Sequence, residues 1–294
     1  MQVTANGMQF EVEDHGSPTG EPLLLIMGLG MQLVAWPDGF VASLVDRGYR
    51  VIRFDNRDIG LSQHLDHLGV PNLVLGSLRY SVGLQVKAPY SLADMADDAA
   101  GILGAVGLAS AHVCGASMGG MIAQQLALRH PARVKSLTLM MTSSGARHLP
   151  GPSMKVRGAL IGRPRNPNDV PSVIAHYVKL YRLIGSPGFP DDEAQLSNRL
   201  GAWVRRSYRP QGSARQLLAI AADVKRASLI NQICVPTRVI HGRQDALVPH
   251  VAGVELASKI RGAQLELIEG MGHDLPIELW PRFVAGIDAV AGRA

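Results

Sequence analysis

Residues 115–119 read Gly-Ala-Ser-Met-Gly, and this pentapeptide restricts the fold more than any other feature of the sequence. It follows the apolar, strand-like run 111–114 and leads directly into the helix-like run 121–128. Because a serine on so sharp a turn has a strained backbone, its neighbours must be small for the turn to close. A strand, Gly-x-Ser-x-Gly and a helix in this order predict a nucleophile elbow, in which the turn lifts the Ser117 hydroxyl out of a sheet.

The length and composition indicate a globular chain with a large core. Its 294 residues suit one α/β domain or a domain with a subdomain, and 47% of them are hydrophobic while 18% are charged. No run of 18 apolar residues occurs, and the N-terminus lacks the pattern of a secretory signal. The two cysteines, Cys114 and Cys234, fall on predicted core strands, where we expect buried thiols. We therefore expect a cytoplasmic protein without stable membrane insertion.

The positive charge of the chain is concentrated in one segment. The net charge is +5, and residues 147–226 hold 14 lysine and arginine residues but only 5 acidic ones. Such a segment attracts anionic substrates or a membrane surface, or it forms a solvated, arginine-rich helical face. Nucleic-acid binding is not expected, because no zinc-ligand spacing or RNA-binding signature occurs and aromatic residues make up only 5%.

Strand-like and helix-like segments alternate along most of the chain. Asn6-Gly7 is a strong signal for a two-residue hairpin turn, and Ser91 with Asp94 predicts the capping box of a helix. The predicted strands are residues 2–4, 8–12, 23–26, 49–54, 111–114, 136–140, 237–240 and 264–268, with helices over 40–46, 92–106, 118–130 and 276–290. This alternation predicts an α/β fold with a mostly parallel, eight-stranded sheet flanked by helices.

The alternation stops between residues 145 and 228. Apolar residues recur there at helical spacing, and proline and glycine interrupt the pattern repeatedly. We interpret 145–228 as a helical cap inserted into the fold, which leaves residues 1–144 and 229–294 as the core.

The segment 62–89 is long, rather apolar and without a clear period. It lies near the carboxyl ends of the predicted strands, where ligands bind in folds of this kind. Two interpretations stay open: the segment forms a wall of a substrate pocket, or it contains a short helix that packs on the core.

Two residues after later strands complete a catalytic constellation with Ser117. A serine hydroxyl needs a neighbouring base, and an imidazole base needs a carboxylate that fixes its tautomer. Asp245 follows the strand 237–240, and His273 lies in a glycine-flanked loop after the strand 264–268. Both reach the carboxyl end of the sheet in the chain order Ser, Asp, His. We therefore predict Ser117 as nucleophile, His273 as base and Asp245 as its carboxylate partner.

An oxyanion hole needs two backbone N–H groups aimed at the developing negative oxygen. Met118, directly after the nucleophile, should supply one of them. The loop after the strand 23–26 reads Met-Gly-Leu-Gly, and its glycines allow the backbone to approach the substrate closely. Either Gly28 or Leu29 should supply the second N–H.

The chain resembles the α/β-hydrolase family over nearly its whole length. Within it, residues 26–37 and 52–62, the latter reading Ile-Arg-Phe-Asp-Asn-Arg-Asp-Ile-Gly-Leu-Ser, resemble the subgroup of bacterial carboxylesterases that includes aclacinomycin methylesterase. The family more often has His-Gly where this chain has Met27-Gly28, and it often has glycine in place of Asp58. The resemblance implies hydrolysis of a small-molecule carboxylic ester through an acyl-enzyme, without a metal or organic cofactor.

Other activities share this machinery. A perhydrolase or haloperoxidase, a carbon–carbon bond hydrolase and a proline iminopeptidase stay open, although the last would need acidic groups where residues 147–226 are basic. Haloalkane dehalogenases and epoxide hydrolases of this fold carry aspartate at the position of Ser117 and are excluded. A non-enzymatic ligand-binding role is disfavoured, since such proteins often lack one member of the triad.

The apolar segment 62–89 and several methionines indicate a greasy, adaptable pocket, for which we expect short- to medium-chain acyl groups. Its expected lining is Met27, Gly30, Met31, Leu78, Tyr177 and Met271. The expected association state is a monomer or a homodimer.

Overall fold

The computed structural model describes residues 1–292, and these contain one eight-stranded sheet with the order β1-β2-β4-β3-β5-β6-β7-β8. The strands are β1 (Gln2–Ala5), β2 (Met8–His15), β3 (Glu21–Ile26), β4 (Tyr49–Phe54), β5 (Ala111–Ala116), β6 (Val134–Met140), β7 (Thr237–Gly242) and β8 (Gln264–Ile268). Only β2 pairs antiparallel with its neighbours β1 and β4, whereas all other neighbours are parallel. The predicted α/β fold with a mostly parallel, eight-stranded sheet is therefore confirmed.

Ten α-helices lie within the described residues. They are α1 (Asp38–Asp46), α2 (Leu73–Ser81), α3 (Leu92–Ala105), α4 (Met118–Arg129), α5 (Met154–Ile161), α6 (Val170–Ile184), α7 (Glu193–Arg206), α8 (Pro210–Ala222), α9 (Val251–Lys259) and α10 (Trp280–Ala291). The predicted capping box of α3 is confirmed, since Ser91 and Asp94 bond each other's backbone N–H reciprocally. The last helix begins four residues later than predicted, because residues 277–279 form a separate 3₁₀ turn.

The sheet is buried on both faces, which explains why its central strands are continuous apolar runs. Along β3, Leu24 and Ile26 pack into a core layer with α3 and α4, while Leu23 and Leu25 face a second layer with α1 and α10. All four side chains are completely buried. Full burial of one such side chain stabilises the fold by about 1.5–3 kcal/mol. The two layers fix the sheet, and with it the edge at which the parallel strands end.

Helices α5–α8, called the inserted helices below, lie between β6 and β7 in the chain. Part of the positive charge of this segment is paired within the protein, because arginines of α7 and α8 and the turn between them contact aspartates that follow β4, whereas most of the other basic side chains of the segment are exposed. The pairs are Arg206–Asp55, Arg209–Asp66 and Arg215–Asp58. These ion pairs attach the inserted helices to the sheet.

The segment 62–89 contains the short helix α2, as one of the two interpretations predicted, and a role as pocket wall stays a prediction. Gly76 of α2 packs against Leu218 of α8, where an added Cβ would lie 2.4 Å from the leucine side chain. The opposite face carries Leu78, whose side chain is 58% exposed. The helix thus packs on an inserted helix rather than directly on the sheet.

The two cysteines differ in their surroundings. Cys114 lies on β5, and burial raises the pKa of its thiol far above the ordinary value. Cys234 is exposed, and the prediction that it lies on a buried strand is wrong. The ladder between β6 and β7 starts at Thr237, opposite Leu137, so that residue 234 precedes the first backbone pair.

Candidate active site

Ser117 lies at the turn between β5 and α4 with φ 55° and ψ −121°, a backbone conformation that is strained for a residue with a Cβ. Its N–H donates to the carbonyl oxygen of Met140 over 2.9 Å, and its own carbonyl accepts from the Thr142 hydroxyl at 2.6 Å. Both partners belong to the end of β6 and the residues after it. The strained turn is thus held by hydrogen bonds from the neighbouring strand.

Small neighbours make this turn possible. A Cβ on Gly115 would lie 2.4 Å from the carbonyl oxygen of Gly119, and one on Gly119 would lie 2.0 Å from that of Ile26. A Cβ on Gly120 would lie 2.6 Å from the side chain of Thr142. The glycines therefore allow α4 to start directly against β3 and β5.

The loop after β8 brings His273 to the serine. The Nε2 atom of His273 lies 3.0 Å from the Oγ of Ser117, and its Nδ1 atom lies 2.7 Å from the Oδ2 of Asp245. The side chains of His273 and Asp245 are nearly completely buried. The structure thus joins the three residues, from three separate strand ends, in one chain of hydrogen bonds.

Asp245 is fixed in an ionised state by its surroundings. Its Oδ1 atom accepts from the backbone N–H groups of Leu247 and Val248, at 2.9 and 2.7 Å. Burial alone would raise the pKa of Asp245, but His273 and the nearby His241 outweigh it and hold that pKa well below the ordinary value. A carboxylate in this position orients the imidazole so that Nδ1 carries the proton and Nε2 faces the serine.

His241 is a neighbour of the site that sequence reasoning did not identify. Its side chain is fully buried, and Nε2 lies 3.4 Å from the Oδ2 of Asp245 and 2.8 Å from the carbonyl oxygen of Val248. The spacing of four residues between His241 and Asp245, across the end of β7, is the signal from which this contact could have been predicted.

The turn after β3 approaches the nucleophile closely. A Cβ on Gly28 would lie 3.1 Å from the Cβ of Ser117 and 3.6 Å from its Oγ. Met118 is the first residue of α4, so its N–H has no partner within the helix. The residues predicted for the oxyanion hole, Met118 with Gly28 or Leu29, therefore belong to the two segments that meet at Ser117.

The residues expected to line a pocket lie in different surroundings. Met27 and Met271 are buried in the core layer that contains α1 and α10. Gly30 and Met31 lie in the turn after β3, where the Sδ of Met31 is 3.4 Å from the hydroxyl of Tyr181. Leu78 lies on the exposed face of α2. Gly30 and Met31 both contact the inserted helices, Gly30 through the side chain of Gln216 and Met31 through the hydroxyl of Tyr181.

Aromatic side chains of the inserted helices lie beside this turn. Tyr177 packs edge-on against Tyr208, and burial raises its pKa to about 12. Tyr181, which contacts Met31, packs edge-on against Trp203 at 5.9 Å between ring centroids. Tyr177 was the only aromatic residue of the inserted helices predicted to line the pocket, because the spacing of apolar residues does not show that α6 packs against α7.

Two kinds of feature are absent from residues 1–292. No group of three or more His, Cys, Asp or Glu side chains in this part of the chain is arranged to hold a metal ion. No helix in it is long and apolar enough to cross a bilayer.

Comparisons with known proteins agree with this geometry. The model of the alpha/beta hydrolase fold family matches residues 21–278. The chain is similar to rhodomycin D methylesterase of Streptomyces sp. (strain C5), with 30% identity over 98% of this chain and 96% of that protein. It is also similar to 2-hydroxymuconate semialdehyde hydrolase of Pseudomonas sp. (strain CF600), with 28% identity over 97% of this chain and 90% of that protein. The predicted resemblance to bacterial methylesterases is thereby confirmed.

The fold also matches solved structures. The enol-lactonase from Burkholderia xenovorans LB400 superimposes with a TM-score of 0.75 and 24% identity, and the match covers 99% of this chain and 100% of that one. At this level of identity the comparison establishes the fold alone.

Proposed function

The chain belongs to the α/β-hydrolase family, and on that basis we propose that it is a serine carboxylesterase that works through an acyl-enzyme. The observation that carries the proposal is the chain of hydrogen bonds from Ser117 through His273 to Asp245, with distances of 3.0 and 2.7 Å. Nucleophile, base and orienting carboxylate are in mutual contact without any rearrangement. The arrangement is the one that acyl transfer requires.

In the proposed acylation step, the Oγ of Ser117 attacks the ester carbonyl carbon while Nε2 of His273 removes the hydroxyl proton. Asp245 stabilises the imidazolium that forms, because its own carboxylate stays ionised. The backbone N–H of Met118 and that of Gly28 or Leu29 donate to the tetrahedral oxyanion. One such donor contributes about 3 kcal/mol to the stabilisation of the transition state. His273 then protonates the departing alcohol.

In the proposed deacylation step, His273 removes a proton from water, and the resulting hydroxide attacks the acyl-enzyme. The tetrahedral intermediate collapses, Ser117 recovers its proton from His273, and the carboxylic acid leaves. The same oxyanion donors serve both steps, so that the enzyme needs no further group.

We propose methyl-type or short- to medium-chain carboxylic esters of small molecules as substrates. The printed activity of the Streptomyces relative, a methylesterase, supports a small alcohol as leaving group. The aromatic pair Tyr181 and Trp203 beside Met31 supports a confined acyl site. We further propose that residues 145–228 form a cap over a core of residues 1–144 and 229–294, with Tyr177 on its inner side.

The test is hydrolysis of p-nitrophenyl acetate, butyrate and decanoate, together with a panel of methyl esters followed by pH-stat. The Ser117→Ala variant should lose at least about a thousandfold in kcat, because the nucleophile is gone. The matched control is Ser43→Ala, which removes a hydroxyl on α1 that donates only to the carbonyl oxygen of Gly39, and it should keep full activity. Wild type as inert as Ser117→Ala over the whole panel would refute the esterase proposal.

A carbon–carbon bond hydrolase is the second candidate, which the similarity to the Pseudomonas semialdehyde hydrolase favours. The two proposals differ in substrate rather than in the triad. A ratio of kcat/KM above about 100 for a vinylogous 1,5-diketone over the best methyl ester would favour the second candidate. The reverse ratio would favour the esterase.

A further inference from the structure

Gln216 of α8 is a completely buried polar side chain with a partner on each side. Its Oε1 atom accepts from the backbone N–H of Gly30 over 2.9 Å. Its Nε2 atom donates to the carbonyl oxygen of Arg57 over 3.0 Å. The side chain thus connects an inserted helix to the turn after β3 and to the segment after β4.

The turn that Gln216 contacts is the one proposed to hold an oxyanion donor. The N–H of Met31 donates to the carbonyl oxygen of Gly28 over 3.2 Å and closes a β-turn over residues 28–31. Gly30 has φ 68°, whereas Leu29 has a negative φ, and this combination defines a type II turn. The N–H of Gly30 belongs to the middle peptide of this turn. A rotation of that peptide by about 180° separates type II from type I turns.

The ends of this turn are held by other groups. The carbonyl oxygen of Met27 accepts from the side-chain amide of Asn56 at 2.9 Å. The backbone N–H of Leu33 donates to the carboxylate of Asp55 at 2.6 Å. Both partners lie in the segment directly after β4. The middle peptide is therefore the part of the turn whose orientation depends on an inserted helix, through Gln216.

We propose that Gln216 is a positioning residue, which fixes the middle peptide of the 28–31 turn and thereby restricts the peptide before it, whose N–H belongs to Leu29 and is the one that we assign to the oxyanion. The inference rests on the proposed esterase function. A primary amide suits this role because it accepts from Gly30 and donates to Arg57 at the same time. Arg57 is itself fixed, since its guanidinium makes two hydrogen bonds to the buried Asp98, at 2.6 and 2.7 Å.

Loss of this side chain should act on the transition state rather than on substrate binding. Without the acceptor, the peptide after Leu29 gains a second orientation, the peptide before Leu29 becomes less restricted, and the Leu29 N–H is correctly placed in only part of the molecules. A hydrogen bond from that donor stabilises the oxyanion more than it stabilises the neutral carbonyl of a bound ester. A misplacement of about 1 Å is enough to lower a rate about a hundredfold.

The experiment compares Gln216→Met and Gln216→Asn with the control Gln125→Met. Gln125 is also a buried amide, but it donates to Asp223 and lies away from the turn. All rates are normalised to the active-site concentration, which is titrated with a fluorophosphonate. Single-turnover acylation and KM are measured with p-nitrophenyl butyrate. The inhibition constant is measured for an aliphatic trifluoromethyl ketone, which adds to the serine hydroxyl to give a tetrahedral oxyanion, and for butyrate as a ground-state ligand.

For Gln216→Met we expect acylation to fall about ten- to a hundredfold, with KM changed by less than about twofold. The inhibition constant of the trifluoromethyl ketone should rise by the same factor as acylation falls, and that of butyrate should not change. Gln216→Asn, which is shorter by one methylene, should show a smaller loss of the same kind. It also keeps the test decisive if Gln216→Met does not fold.

Three results would overturn the inference: unchanged acylation in both Gln216 variants, an equal loss in Gln125→Met, or a loss of acylation without weaker binding of the trifluoromethyl ketone. Failure of the esterase proposal looks different. In that case the wild-type protein itself would neither turn over the ester nor bind the ketone more tightly than butyrate.

Discussion

The backbone N–H of His273 donates to the carbonyl oxygen of Ile184 over 2.7 Å. Ile184 is the last residue of α6, so the loop that carries the imidazole is attached to the inserted helices as well as to β8. Gly272 donates to the hydroxyl of Ser186 at 2.8 Å, and the N–H of Ser186 donates to Asp274 at 3.1 Å. Three consecutive residues of the histidine loop are thus held by the chain around the end of α6.

Gly272→Ala should separate the histidine loop from α6. The new Cβ would lie 2.3 Å from the carbonyl oxygen of Gly185 and 2.6 Å from that of Ile184. Since backbone atoms cannot move aside easily, the loop must shift and carry His273 away from Ser117. We expect kcat/KM for p-nitrophenyl butyrate to fall about a hundredfold, because a shift of about 1 Å has an effect of this size.

The control for this change is Gly158→Ala on α5. An added Cβ at Gly158 meets no heavy atom within 4 Å, and alanine in a helix is more stable than glycine by about 0.5–1 kcal/mol. The control should keep wild-type activity and gain slightly in stability. A loss of activity in Gly158→Ala comparable to that in Gly272→Ala would contradict a specific effect of the histidine loop.

Replacement of Ser117 should reveal the strain of the elbow. Both Ser117→Ala and Ser117→Gly remove the nucleophile, but only glycine adopts φ 55° without a steric penalty. Strain at such a position costs about 1–3 kcal/mol, and the greater freedom of unfolded glycine offsets part of it. We expect Ser117→Gly to unfold in urea with a free energy about 1 kcal/mol larger than that of Ser117→Ala.

The same pair of substitutions at Ser43 provides the control. Ser43 lies within α1 and is half-buried, and in a helix interior glycine is less favourable than alanine by about 1 kcal/mol. The order of stability should therefore reverse between the two positions. Ser117→Gly less stable than Ser117→Ala would show that the elbow is not strained in solution.

The strand ends of this fold were predictable because local chemistry and topology agree. The glycines on both sides of Ser117 and those just before His273 mark sharp turns, and each turn follows an apolar run. Parallel strands must end at one edge of the sheet, so the order of runs is sufficient to bring Ser117, Asp245 and His273 together. Strand limits were less predictable, since backbone pairing extends beyond the apolar runs: β2 continues to His15 rather than ending at residue 12, and β6 begins at Val134 rather than at residue 136.

The contacts of the inserted helices could not be predicted, because they join residues far apart in the chain. Gln216 bonds a residue 186 positions away, and no local pattern distinguishes it from a surface glutamine. The helix α2 could not be located from the sequence for a different reason. Its exposed face carries Val74 and Leu78, so that its apolar residues do not follow the period of a helix with one polar face.

Breaking the ion pair between Arg215 and Asp58 should be the costliest single change among these contacts. Both side chains are completely buried, with Nη2 of Arg215 2.8 Å from Oδ1 of Asp58. Arg215→Met leaves a buried carboxylate without its cation, which typically costs about 3–5 kcal/mol. We expect this loss in urea unfolding, and a much smaller total loss in the double variant with Asp58→Asn. Asparagine also tolerates the positive φ of position 58.

The matched control is the exposed pair of Arg182 and Glu193, whose side chains are 53% and 70% exposed. Pairs of this kind contribute at most about 1 kcal/mol. Arg182→Met should therefore leave the free energy of unfolding nearly unchanged. If the losses in the free energy of unfolding of the Arg215 and Asp58 single variants simply added up in the double variant, the two residues would not be coupled.

Asp245 contacts His273 and Asp274 follows it in the chain, and the pKa values of the two carboxyl groups are shifted in opposite directions. Burial would raise the pKa of Asp245, but His273 and His241 outweigh it, so that the pKa lies well below the ordinary 3.8. For Asp274, burial outweighs the hydrogen bonds from Ser186 and raises the pKa above 3.8.

These shifts predict opposite effects of pH on stability. A carboxyl group with a lowered folded pKa stabilises the protein above its unfolded pKa of about 4, and this contribution is lost as the pH falls toward the folded value. In urea unfolding, the advantage of wild type over Asp245→Asn should therefore shrink steadily from pH 5 to pH 2.5. A carboxyl group with a raised folded pKa has the opposite effect. The free energy of unfolding of the wild type, relative to that of Asp274→Asn, should therefore be highest at pH 3 and should fall as the pH rises through the folded pKa. Parallel trends for the two variants would contradict the opposite shifts of the two carboxyl groups.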